Sequence, residues 1–398
     1  MTTPRPTAAV IGLGTMGAGI AEVFARAGWQ VHGIDRDTAA LDRGRDIIAT
    51  STDRAVTKGK LTAADRDALQ ERISYDTDLA AAHDATVVVE AALEDLDAKR
   101  AIFADLGTRF GPDVLLATNT SSLPVTEIAA VTEHPERVVG LHFFNPAPVQ
   151  ELVEVITTVH TSQQASERTA ALVAELGKTA ITCGDRAGFV VNRLLVGYLN
   201  RAIRLHQDGF AGRDEIDQVM VTSAGYPMGP FALCDLVGLD VILAVVERIW
   251  DDTRDPIDAP APLLRQLVAA GRLGRKSGVG FGASGDPEPI AQLNRAGRRE
   301  DRSDELPGAL VLPYLNEALR MVESGYATCD DIDTGMQLGC RMPGPFDLLA
   351  EIGVERVLTG QRLIFAETAA PAHRPCRLLE TLAAGDDPSA ALAELRRS

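Results

Sequence analysis

Apolar residues form a short β-type run over 7–12, recur at helical spacing over 16–27 up to Gly28, and return as a second β-type run over 30–34, closed by Asp35. Strand, helix and strand in that order make a βαβ unit. Further β-type runs lie at 85–90, 114–118 and 138–142, separated by helical stretches such as 97–110, so the pattern predicts a doubly wound parallel sheet. A polar helical segment, 41–73, is expected as a hairpin standing off that sheet. Two more strands are expected at 149–156 and 180–183, and from Gly188 onward the periodicity is helical throughout.

The helical part repeats itself. Tyr198-Leu199-Asn200, Ala202, Arg204, Gly209, Ala211 and Ile216-Asp217 recur as Tyr314-Leu315-Asn316, Ala318, Arg320, Gly325, Ala327 and Ile332-Asp333, a constant offset of 116. After a one-residue deletion, Gly229-Pro230-Phe231 returns as Gly344-Pro345-Phe346. Two copies of one helical unit are therefore expected. The predicted organisation is an α/β domain over 1–184, a first helical domain over 185–283, a polar linker over 284–306 and a second, degenerate helical repeat over 307–398.

Composition refines this picture without changing it. With 398 residues, more than one domain is expected, and 45% hydrophobic against 24% charged residues excludes disordered, collagen-like and coiled-coil classes. The formal charge of −17 argues against nucleic acid as a partner, and any anionic ligand must rely on local donors. Cys183, Cys234, Cys329, Cys340 and Cys376 are widely spaced and odd in number, which suits free thiols in a cytoplasmic protein. Neither an export signal nor a membrane-spanning run is expected from the sequence.

Gly12-Leu13-Gly14-Thr15-Met16-Gly17 is a GxGxxG placed between strand and helix. Gly12 suits a tight turn, Gly14 lets backbone N–H groups approach a pyrophosphate, and Gly17 allows close helix–strand packing. Asp35 ends the second strand 18 residues beyond Gly17, where a carboxylate accepts hydrogen bonds from a ribose 2′-hydroxyl and repels a 2′-phosphate. Together they predict a Rossmann-type domain that binds NAD rather than NADP.

Hydride transfer to such a cofactor needs a base, and His142 ends a predicted strand, where ligands of open α/β sheets sit. Glu154, twelve residues on, could orient the imidazole. Ser121 follows the 114–118 strand; by itself it reads equally as a turn or capping residue, and Asn192 as a cap or packing residue. A Ser-His-acid hydrolase is the rival reading, but Ser121 has no GxSxG elbow. His83, His134, His160, His206 and His373 lie in polar surroundings and are expected to be exposed.

Taken in order, these segments resemble the L-3-hydroxyacyl-CoA dehydrogenase family, of the 3-hydroxybutyryl-CoA type. The similarity is carried by the glycine-rich segment 12–21, Val-Glu-Ala-Ala-Leu-Glu-Asp at 89–95, Asn-Thr-Ser-Ser-Leu at 119–123 and His-Phe-Phe-Asn-Pro-Ala-Pro-Val at 142–149. It continues through Leu-Val-Glu-Val at 152–155, Gly-Phe-Val-Val-Asn-Arg at 188–193 and Gly-Tyr-Pro-Met-Gly-Pro at 225–230. The resemblance implies His142 as general base and Glu154 as its orienting carboxylate, with Ser121 and Asn192 positioning the substrate. It also implies NAD contacts from Asp35, Glu94, Lys99, Ser121, Asn145 and Lys276, and coenzyme A contacts from Ser51 and Lys58.

The implied reaction is oxidation of an (S)-3-hydroxyacyl-CoA to the 3-oxoacyl-CoA, and its reverse. Two alternatives stay open on the residues: an NAD-dependent dehydrogenase of a free hydroxy acid, of the carnitine or gulonate type, and a non-catalytic NAD(H)-binding or structural protein. The second repeat, with Gly308 at the position matching Asn192, reads as catalytically empty, and Phe281-Gly282-Ala283 lacks a Tyr that relatives usually carry there. The repeat is expected to pack on the first copy and to replace a dimer contact, leaving a monomer or a homodimer.

Overall fold

The computed structural model describes residues 6–282 and 305–397. Most of the expected linker, 284–304, lies outside them. The chain divides into two compact units, one ending at Phe189 and the other beginning at Val190.

In the first unit, β1 (Thr7–Ile11) leads through the glycine loop into α1 (Thr15–Arg26) and back to β2 (Gln30–Ile34). The helices α2 (Thr38–Thr57) and α3 (Ala63–Gln70) follow, then β3 (Ile73–Asp76), β4 (Val87–Glu90), α4 (Leu96–Arg109), β5 (Leu115–Thr118) and α5 (Val125–Ala129). The unit closes with β6 (Val138–Phe143), β7 (Leu152–Thr157), α6 (Gln163–Glu175) and β8 (Thr179–Gly184). The eight strands form one sheet in the order β3-β2-β1-β4-β5-β6-β7-β8.

Two expectations are corrected here. The sheet is not purely parallel, because β7 runs antiparallel to β6. The 41–73 segment is not a free-standing hairpin: α2 starts earlier, capped by the Asp37 carboxylate on the Ala40 N–H, and Ile73 opens a strand paired with β2. Ile48 and Leu69 of the two helices sink into the core cluster that α1 shares with the sheet, so apolar burial ties the hairpin down. A second cluster, with Phe103, Leu106 and Ile128 from α4 and α5, covers the opposite face. The reversal of strand order between β1 and β4 places the carboxyl ends of both strands beside one crevice.

The second unit is all-α. Its first copy comprises α7 (Val191–Gln207), α8 (Arg213–Thr222), α9 (Pro230–Val237), α10 (Leu239–Thr253) and α11 (Pro262–Ala269). The second comprises α12 (Leu306–Glu323), α13 (Cys329–Cys340), α14 (Pro345–Ile352), α15 (Val354–Thr368) and α16 (Arg377–Ala383), followed by α17 (Pro388–Leu395). The repetition extends to individual polar bonds. Asn200 Oδ1 accepts the Ala261 N–H at 2.9 Å, and Asn316 Oδ1 accepts that of Cys376 at 2.8 Å. Asp217 Oδ1 accepts from Phe231 N, as Asp333 Oδ1 does from Phe346 N, both at 2.8 Å. The copies pack through α7 against α12 and α13, with Arg193 Nε on Glu317 Oε1 at 2.7 Å.

Sequence polarity misled for two histidines: His206 and His373 are buried, each with a ring nitrogen in a hydrogen bond. No disulfide joins the cysteines. Among the described residues no helix is long and apolar enough to cross a membrane, and no group of three or more His, Cys, Asp or Glu could hold a metal ion.

Candidate active site

The glycine loop shows why each glycine is needed. Gly12 has φ +86°, and a Cβ there would lie 2.8 Å from the Ala92 backbone at the end of β4. At Gly17 a Cβ would overlap the Gly12 carbonyl oxygen, so α1 reaches β1 only without a side chain. Gly14 is different, because its missing Cβ faces open space. It is also the N-cap of α1 and supplies no side-chain cap, which leaves N–H groups at the positive end of the helix for an anion. Beside them, Asp35 Oδ2 accepts the Leu13 N–H and Oδ1 the Arg36 N–H, each at 2.7 Å. A carboxylate pinned against an open phosphate cradle fits the ribose and pyrophosphate of a dinucleotide.

A second cluster joins the ends of β4 and β5. Glu90, fully buried, accepts the Lys99 ammonium on both oxygens at 2.7 and 2.9 Å, the Ala92 N–H at 2.7 Å and the Thr118 hydroxyl at 2.7 Å. Lys99 is equally enclosed, so its charge is taken up by Glu90 and by Glu94, 3.5 Å away. Glu94 Oε1 in turn accepts from the Thr120 hydroxyl at 2.6 Å and the Ser121 N–H at 3.0 Å. Ser121 therefore sits in a held bend rather than at a helix start, since α5 is capped at Pro124. Asn119 Oδ1 accepts the Phe143 N–H, linking this turn to the end of β6.

His142 and Glu154 face each other across the β6–β7 hairpin as directly opposed register partners. The antiparallel pairing is what turns a separation of twelve residues into contact: Nδ1 lies 2.6 Å from Glu154 Oε2. Glu154 is wholly buried and His142 nearly so, and the imidazole is flanked by Phe144 and Phe189, with centroids at 4.7 and 5.6 Å. A carboxylate only accepts, so Nδ1 carries the proton and Nε2 is left with its lone pair. A base backed by a buried counter-charge is the chemistry this pair offers.

The loop after β6 carries Asn145, exposed beside a cis bond to Pro146. Lys178 clamps that loop by donating to the Ala147 and Gln150 carbonyls at 2.9 and 2.6 Å, and burial pulls its pKa below the usual lysine range. Ser51 lies half-buried on α2, and Lys58, at its C-cap, is exposed. Within the second unit, half-buried Asn192 is the second residue of α7, and the Lys276 ammonium is paired with Asp240. Glu90, Thr118, Asn119 and Lys178 escaped the sequence reading. For Glu90 the available signal was a lone acid ending an apolar strand, Val87-Val88-Val89-Glu90.

The family model described as "3-hydroxyacyl-CoA dehydrogenase, NAD binding domain" matches residues 7–186. The one described as "3-hydroxyacyl-CoA dehydrogenase, C-terminal domain" matches twice, at 188–284 and 309–391. A 3-hydroxybutyryl-CoA dehydrogenase of Mycobacterium tuberculosis is 45% identical over 274 residues, covering 68% of this chain and 96% of that protein. A 3-hydroxyadipyl-CoA dehydrogenase of Escherichia coli is 34% identical, covering 94% of this chain and 96% of its own length. The crystal structure of a 3-hydroxybutyryl-CoA dehydrogenase from Escherichia coli superposes with a TM-score of 0.86 at 33% identity, over 96% of this chain and 98% of that one.

Proposed function

The chain belongs to the 3-hydroxyacyl-CoA dehydrogenase family, and on that premise we propose that it interconverts (S)-3-hydroxybutyryl-CoA and acetoacetyl-CoA in the cytoplasm. The first unit is the family's NAD-binding domain. When bound, NAD accepts the C3 hydride of the alcohol or returns it to the ketone.

In this reading His142 Nε2 takes the proton of the C3 hydroxyl, and Glu154 holds the imidazole in the required tautomer and faces the imidazolium that forms. In the reverse direction His142 is the acid. Ser121 and Asn192 hold the substrate oxygen by hydrogen bonds, a positioning role. Asp35 takes the ribose hydroxyls and the N–H groups at Gly14 the pyrophosphate, with Glu94, Asn145 and Lys276 as further NAD contacts. Lys99, enclosed by Glu90, acts on that site by orienting Glu94. Ser51 and Lys58 are assigned to coenzyme A.

What carries the proposal is the His142–Glu154 pair, a buried acid-backed base at the carboxyl end of a sheet strand. We assign 1–184 to the NAD domain, 185–283 to the first helical domain and 307–398 to a second copy without chemistry of its own, replacing a dimer contact. One observation favours a longer, dicarboxylic substrate: the relative named for 3-hydroxyadipyl-CoA is matched along nearly the whole chain, both helical copies included. A substrate panel separates the two readings. Acetoacetyl-CoA should give the highest kcat/KM with NADH and far less with NADPH, whereas preference for 3-oxoadipyl-CoA would move the acyl assignment while keeping the chemistry.

A further inference from the structure

The offset of 116 residues between the helical copies orders the junction where α7 packs on α12. Tyr198 and Tyr314 are counterparts, and their rings meet edge to face with centroids 6.4 Å apart. Arg193 Nε donates to Glu317 Oε1 at 2.7 Å, and Arg201 Nε donates to the Ala309 carbonyl. By the same offset Ala309 is the counterpart of Arg193, and Glu317 that of Arg201. Counterparts that exchange partners, with a residue between them meeting its own counterpart, describe a two-fold pairing of the copies.

The two exchanged pairs have diverged. Arg193 meets a carboxylate, and its neighbour in sequence is Asn192. Arg201 instead donates to the Ala309 carbonyl and, at 2.7 Å, to His373 Nε2, with Glu367 opposing its charge. On that side Gly308 stands where the first copy has Asn192. The copy without the asparagine thus also lacks the arginine next to it and the carboxylate across from it. A junction of this shape forms on one side without the ion pair, so packing alone does not account for the pair on the other.

Arg193 is poorly placed without that partner. Val190 is the N-cap of α7, so the guanidinium belongs to the first turn, at the positive end of the helix dipole and with no acidic residue in that turn. Burial also works against its charge, yet Glu317, then Asp258, hold its pKa above the usual arginine value. Asp258 is the more distant at 3.8 Å, and its Oδ2 already accepts the Thr253 hydroxyl at 2.7 Å. Without the charge of Glu317, the guanidinium is drawn toward Asp258 and the first turn of α7 moves with it.

We propose that Glu317, from the second copy, is a positioning residue for the dehydrogenase reaction: by fixing Arg193 it sets the first turn of α7 and with it the placement of Asn192. The inference rests on the reading of Asn192 as a group that holds the substrate oxygen. It gives the second copy a part in the chemistry of the first. Misplacing such a group by about 1 Å costs up to about 10²-fold in rate.

The test is a kinetic double-mutant cycle on the full-length chain. Glu317→Gln keeps the size of the side chain and loses its charge. Its kcat/KM for acetoacetyl-CoA should fall about tenfold, while NADH affinity, read by fluorescence, stays at the wild-type value. Asn192→Ala should be impaired by itself, and adding Glu317→Gln should cost less than about twofold more, because both changes act through one side chain. Arg193→Lys, which keeps the cation but loses the Nε–H, should show the same loss and the same coupling, so the outcome does not hang on the folding of one variant. Wild-type kcat/KM in Glu317→Gln would overturn the proposal, as would a loss repeated in full on the Asn192→Ala background, the mark of a purely structural ion pair. Wild-type activity in Asn192→Ala itself would instead remove Asn192 from substrate binding, and this inference with it.

Discussion

At the scale of single residues, function rests on side chains whose partners fix one protonation state or one orientation. Asp35 is held by two backbone N–H groups at the edge of the glycine loop, and in the proposed cofactor site it selects against a 2′-phosphate. Asp35→Ser should therefore raise kcat/KM for NADPH relative to NADH by about tenfold or more. Steady-state kinetics with both cofactors checks this, and an unchanged ratio would remove Asp35 from the selection. The chain has five lysines, and one of them, Lys99, is enclosed in the core, where buried Glu90 takes its charge and the partly exposed Glu94 lies 3.5 Å away.

At the scale of elements, the strand ends at the switch point are bound together by the Glu90 cluster rather than by loop sequence. Removing one partner leaves the other charge buried and uncompensated, so Lys99→Met should lose about 3–5 kcal/mol. Adding Glu90→Gln should restore most of that; urea denaturation of the single and double variants reads the difference. A Lys99→Met protein of wild-type stability would contradict the arrangement. This cluster was largely illegible in the sequence, because β4, β5 and α4 meet only once the sheet is ordered. The glycine loop and its βαβ unit were legible, being local, and so was the duplication, written as a fixed offset. The His142–Glu154 pair could be suspected from spacing, but only the antiparallel turn of β7, unforeseen in a sheet read as parallel, makes the two residues opposite. β3 was overlooked because four alternating residues, Ile73-Ser74-Tyr75-Asp76, at a sheet edge carry too little apolar character to stand out from the helices before them.

At the scale of the whole molecule, the duplicated helical unit is the feature that sets this chain apart from relatives matched over only 68% of it. If the second copy replaces a dimer contact, sedimentation should give a mass near 42.4 kDa, and an obligate dimer would contradict that role. The junction also makes stability depend on pH. Burial, then the charge of Arg201, pushes the His373 pKa down to about 4, against 6.5 unperturbed. Its contribution is complete above 6.5 and is lost as pH falls toward 4, because the unfolded chain takes the proton first; by pH 5 the loss is about 2 kcal/mol. Asp333, raised to about 6 mainly by burial, acts with the opposite sign over the same range, since the folded state is protonated first. Wild type should therefore change little between pH 7 and pH 5, whereas His373→Gln should gain about 1 kcal/mol on that shift, as measured by denaturant titration. The central claim is that an acid-backed imidazole transfers the proton of a 3-hydroxyacyl-CoA. Its most direct test is acetoacetyl-CoA-dependent oxidation of NADH by His142→Gln, with NADH affinity measured on the same protein by fluorescence. The account predicts wild-type affinity and a turnover lower by about 10²–10⁴-fold; near-normal turnover would contradict it.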